Sequence, residues 1–195
     1  MKAIQTLPEG YKEIFSINLQ KDKKIAILLN VFAVVIMLAM AIPMHFYIPI
    51  STLFDMEKGL GAYALRFATI AILTIAYIVL HELVHGIAMK VCGTKKVKYG
   101  FTGLYAFAGS DDCYDKSTYI MIALAPIVVW GIVIAVANIF VSREWFWVAY
   151  FLQIFNISGA AGDMYVTAKF SKFPNDILVK DDGVGMTVYS KEGKL

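Results

Sequence analysis

The sequence predicts an all-α integral membrane protein: one membrane domain over residues 1–195 with four transmembrane helices, a short β-hairpin-like cytoplasmic loop and a short β-like C-terminal tail. Three observations carry that fold class. Hydrophobic residues make up 59% of the 195, and the mean hydropathy of +0.65 is well above that of a soluble domain. Charged residues are only 17% and cluster between long apolar runs. Four of those runs are long enough to cross a hydrocarbon core, which takes about 20 residues in helical form.

The N-terminal segment is charged as far as Lys24 and leads into the first span, residues 25–50. The small residues Ala39 to Ala41 imitate a signal-peptidase site, but the apolar run continues past them, so the segment is read as a span. The second span covers residues 67–89, the third 119–141 and the fourth 145–168, followed by a cytoplasmic tail, 169–195. Helices are expected because an isolated strand cannot satisfy its backbone in lipid, and the runs lack the ~10-residue alternation of a membrane barrel. Pro43 and Pro126 should kink the first and third spans. The loop 97–109 alternates β-formers with glycines and reads as a hairpin; residues 177–189 read as two short strands around an Asp-Gly turn.

Fifteen of the eighteen Lys and Arg residues lie in the N-terminal segment, the loop 90–116 and the tail, leaving Lys58, Arg66 and Arg143 on the other side. Both termini should therefore be cytoplasmic. Trp145 and Trp147 fall at the outer interface, and Cys92 and Cys113 on the reducing side, where no disulfide role is expected. The net charge of +3 serves orientation in a bilayer, and no nucleic-acid partner is expected.

The stretch "AYIVLHELVHGIAMK", residues 76–90, sets two histidines and a glutamate in an otherwise apolar run. On a helix, His81 and His85 are separated by about 40° and roughly 6 Å, so their rings project from one face. That is the bite of a single zinc ion, and Glu82, on the neighbouring flank, can reach a metal-polarised water without being a ligand. Ionisable groups inside a span cost roughly 2.5–3.5 kcal/mol each on insertion scales, which argues against three of them without a function.

Zinc needs a third protein ligand, and the spans offer His45, Asp163 and, less suitably, Asn30, Asn138 or Asn156. Depth separates them. His85 lies five residues before cytoplasmic Lys90 and Asp163 six before cytoplasmic Lys169, nearly one level at about 1.5 Å per residue. His45 is near the outer end of its span and reads as an interfacial residue. The run "NISGAAGDM", residues 156–164, is rich in small residues that let helices approach closely, as a short aspartate would require. Asn156, almost two turns before Asp163, could hydrogen-bond a substrate backbone or tie two helices together.

With "HELVHG", the loop "KVKYGFTGLYAFAG", "ALAP" at Ala123 to Pro126 and "NISGAAGDM", the region from about Phe67 to Lys169 resembles the site-2 protease family of intramembrane zinc metalloproteases. Within that group it looks most like small bacterial integral-membrane zincin peptidases. The resemblance implies a three-helix core in the second to fourth spans, Zn2+ held by His81, His85 and Asp163, Glu82 as general base and Asn156 as the polar residue preceding the aspartate. It also implies a location in the bacterial plasma membrane and a membrane-embedded or membrane-proximal protein or peptide as substrate. The family's usual Leu-Asp-Gly is here Gly162-Asp163-Met164, and no extra peptide-binding domain is read. The rival readings are a non-enzymatic zinc-binding membrane protein, structural or sensing, and a metal transporter. The second of these is disfavoured because the spans carry no carboxylate beyond Glu82 and Asp163. The sequence sets neither the oligomeric state nor the substrate.

Overall fold

Three helices account for three of the four long apolar runs. In the computed structural model, which describes residues 2–18, 21–103 and 105–191, they are α1 (Lys23–Tyr47), α2 (Gly59–Val91) and α3 (Lys116–Phe140). Leu104 in the expected hairpin and residues 192–195 of the expected tail lie outside the described residues. Each of the three helices is long and apolar enough to cross a membrane. Much of their apolar surface meets no other part of the protein: Ile27 is 64% exposed and Phe46 82%. Side chains of that size so exposed are costly in water and at home in lipid.

The fourth run departs from expectation. Instead of one helix over 145–168, the chain forms α4 (Phe146–Gly159) and α5 (Ala161–Ser171), interrupted at Ala160. At about 1.5 Å per residue the two pieces are roughly 21 and 16 Å long, each short of the ~30 Å hydrocarbon core. The cause is local. Ser158 Oγ donates to the Ile154 carbonyl at 2.7 Å, the i−4 back-bond that loosens a helix, and Gly159 and Gly162 on either side hold the helical state weakly. A chain break of this kind is tolerated at membrane depth where protein satisfies the freed groups.

Two antiparallel sheets complete the structure. β2 (Lys98–Phe101) and β3 (Ala106–Gly109) form the hairpin expected of the loop. The expected strands of the tail are β5 (Leu178–Asp181) and β6 (Gly185–Ser190). They join two strands that the sequence did not single out, β1 (Lys12–Asn18) and β4 (Cys113–Asp115), in the order β1-β6-β5-β4.

The chain divides into two compact units. The first comprises Met1–Leu29, His81–Ala125 and Gly162–Leu195. Its core gathers Met89 of α2, Tyr114 of β4, Tyr119 and Ile122 of α3, Val166 and Phe170 of α5, and Ile177, Val179 and Val188 of the tail. The second comprises Asn30–Leu80 and Pro126–Ala161. There Trp147, fully buried, donates its indole N–H to the carbonyls of Ile48 (3.0 Å) and Pro49 (3.2 Å). Arg66, also buried, pairs with Glu144 at 3.3 Å and donates to the Asp55 carbonyl.

Candidate metal centre

The centre lies within the first unit. An uninterrupted helix at residues 81–85 puts His81 and His85 on one face of α2, with ring centroids 4.9 Å apart. Asp163 comes from the first turn of α5. The interruption at Ala160 has a consequence here, because it turns a mid-helix position into a helix start. The unpaired N–H groups and dipole of a helix N-terminus favour a carboxylate there.

His81 Nε2 stands 3.3 Å from Asp163 Oδ2, and His85 Nε2 stands 3.5 Å from Asp163 Oδ1. Two ligand atoms each about 2.1 Å from a tetrahedral ion are about 3.4 Å apart. One nitrogen from each histidine and one carboxylate oxygen all lie within 4.8 Å of one another. The donor set, two imidazoles and a carboxylate, is that of catalytic zinc sites, which keep a fourth position open. These residues therefore fit a zinc ion in both chemistry and spacing. His85 Nδ1 lies 3.0 Å from the Ile122 carbonyl oxygen of α3. A carbonyl can only accept, so Nδ1 carries a proton and Nε2 is the nitrogen that faces Asp163 and is left for a metal ion.

Glu82, half-buried, is on the flank of this trio. Its carboxylate accepts the backbone N–H of Ala108 in β3. The hairpin is thus in direct contact with Glu82. Thr102 N–H donates to the Tyr105 carbonyl at 3.0 Å, which makes the pair next to the turn a hydrogen-bonded one. Counting down the register, Tyr99↔Ala108 is then a non-hydrogen-bonded pair whose backbone groups point away from the partner strand. That is why the Ala108 N–H is available to Glu82.

Close approach on both sides of the hairpin depends on glycines. A side chain at Gly86 of α2 would collide with the ring and hydroxyl of Tyr99, and one at Gly183, in the β5–β6 turn, would collide with Phe107. A Cβ at Gly109 would strike the backbone of Asp182 and Gly183. The tail turn is therefore seated on β3, as far as contact within this unit is concerned. Asp181, at the end of β5, is a buried acid that sequence reasoning passed over. It accepts the Tyr119 hydroxyl at 2.7 Å and the Gly183 N–H at 2.9 Å, and burial pushes its carboxyl up to about 6. The Asp-Asp-Gly turn was the only local signal for it.

Asn156 lies in the second unit. Its Oδ1 accepts the Tyr77 hydroxyl at 2.9 Å and its Nδ2 donates to the Ile127 carbonyl at 3.1 Å. These bonds tie α4 to α2 and α3, one of the two roles its position allowed. His45, also in the second unit, accepts the Ile50 N–H at Nδ1 (3.1 Å) at the end of α1. Cys92 and Cys113 are free and buried.

No solved structure matches this chain. Among curated proteins it is similar to an "Uncharacterized 24.7 kDa protein in gap 5'region" of Pyrococcus woesei, 32% identical over 117 residues. That alignment covers 57% of this chain and 50% of the other, so the chain spans about half the length of this relative. A family model matches residues 74–178, a stretch that contains His81, Glu82, His85 and Asp163 and more than half of the molecule. The chain belongs to the family described as "Putative zincin peptidase".

Proposed function

We propose that the protein is an intramembrane zinc metallopeptidase that hydrolyses peptide bonds of membrane-embedded or membrane-proximal substrates, related to the site-2 proteases. The observation that carries this reading is the convergence of His81, His85 and Asp163 at zinc-ligand spacing with Glu82 beside them. A zinc ion bound by the three residues would supply a Lewis acid for the scissile carbonyl and lower the pKa of water toward about 7. Glu82 takes the proton from the attacking water and returns it to the leaving nitrogen. The Ala108 N–H holds that carboxylate in place, and the Ile122 carbonyl orients the His85 imidazole.

The recognition element in this reading is the edge of β3. The backbone groups of Ala106 point away from β2, by the same register argument, and an extended substrate strand can pair with the edge there. A peptide bond still inside a helix is shielded by its own hydrogen bonds, so the substrate unwinds before it is cut. Asn156, already committed to two helix contacts, is assigned a supporting place and not a direct one on the substrate. The distribution of Lys and Arg supports a multi-pass cell-membrane protein with both termini in the cytoplasm. The test is Glu82→Gln in the detergent-purified chain. It should keep bound zinc and lose cleavage of casein and of single-span model peptides. Zinc bound to both chains with no cleavage by either would instead favour a zinc-binding membrane protein without peptidase activity.

A further inference from the structure

His85 donates its Nδ1–H to a carbonyl inside a transmembrane helix, where carbonyl oxygens normally belong to the helix itself. In an α-helix the oxygen of residue i accepts the N–H of residue i+4. For Ile122 that residue is Pro126, which has no N–H. The Ile122 oxygen is therefore without its helical donor, and Ile122 is 1% exposed, so water is no substitute. A buried carbonyl left unpaired is costly. His85, itself 8% exposed, supplies the missing donor at 3.0 Å.

We propose that Pro126 is a positioning residue of the metal centre. By withholding an N–H four residues on, it reserves the Ile122 carbonyl for His85. The reserved oxygen selects the Nδ1–H tautomer and holds the ring with Nε2 facing Asp163. Any other residue at 126 would offer a backbone N–H to the same oxygen. The imidazole would then compete for its partner and lose both orientation and tautomer preference. The role rests on the metal-centre reading above and not on proteolysis. Partners that orient a ligating histidine typically account for 10–100-fold in metal affinity.

The test uses the full chain in detergent and measures zinc affinity by competition with a chromophoric chelator in wild type, Pro126→Ala and the control Pro43→Ala, which alters the proline of α1. Pro126→Ala should bind zinc about tenfold more weakly or worse, with Pro43→Ala unchanged. Nitrogen-15 imidazole spectra of the zinc-free wild type, assigned by replacing His45 and His81 in turn, should put the His85 proton on Nδ1. Wild-type zinc affinity in Pro126→Ala would overturn the role. A neutral His85 whose single proton sits on Nε2 would overturn it as well, even if the Pro126 variant did not fold. A wild type that binds no zinc would sink the metal centre itself, a result distinct from equal binding by the two chains.

Discussion

Nε2 of His81 and Oδ2 of Asp163 face each other at 3.3 Å, and the second oxygen of the same carboxylate faces His85 at 3.5 Å. Asp163 is thus the hub of the trio: it touches both imidazoles, one with each carboxylate oxygen, while the imidazoles pack edge to face on the helix that carries them. Removing it should be more damaging than removing a group that merely orients a ligand. Asp163→Ala is expected to lower zinc affinity by more than about 100-fold, the upper end for an orienting partner. Metal analysis of the purified variant after dialysis against a weak chelator measures it. Zinc retained at one per chain would mean that the third ligand is a different residue.

The parts of this centre that were legible in the sequence are those encoded by spacing along a single helix. His81 and His85 are four apart, and nothing but a helix is needed to bring them together. Asp163 was reached by a weaker argument, equal depth relative to flanking lysines, and the structure brings it beside both histidines, with α2 and α5 each carrying a lysine in the last turn, Lys90 and Lys169. The interruption at Ala160 was not legible, since length and apolarity were satisfied across it and hydropathy is blind to the Ser158 back-bond. β1 was missed for a different reason. It alternates within a charge-rich segment, and its partner β6 lies about 170 residues away along the chain, a pairing with no local signature. The contact between the Ala108 N–H and Glu82 is made by backbone, so no residue type could have announced it.

The glycine at 183 should be among the least replaceable positions in the tail. It holds φ +92° and leaves no room for a Cβ beside Phe107. Gly183→Ala therefore adds the left-handed backbone penalty, about 1–2 kcal/mol, to an overpacking penalty of about 1–3 kcal/mol. A loss of about 2–5 kcal/mol is expected, read as a lowered Tm in detergent. Phe107→Ala in the same chain should recover part of it by removing the obstructing ring. Gly61, in α2 with open space around it, is the control, and Gly61→Ala should leave Tm unchanged or slightly raised. Equal effects at 61 and 183 would show that the turn is not seated on the hairpin.

The start of α3 offers a prediction that depends on pH. Asp115 caps this helix: Oδ1 accepts the Thr118 N–H at 2.9 Å and the Ser117 hydroxyl at 2.7 Å, and Oδ2 accepts the Thr118 hydroxyl at 2.9 Å. Burial alone would raise its carboxyl, but the bonds from Thr118 and Ser117 outweigh burial and hold it below the usual carboxylate range. A depressed folded-state pKa stabilises the fold above the unfolded value of about 3.9, and the gain disappears as pH falls through the folded value. Asp115→Ala should cost about 1 kcal/mol, the typical loss of a helix N-cap, at pH 6 to 8. The gap between wild type and variant should narrow only as pH drops below about 4. Thermal unfolding of both chains across pH 3 to 8 provides the measurement. A gap that is already closing at pH 6 would mean that the capping carboxylate is not held in its charged form by these hydrogen bonds.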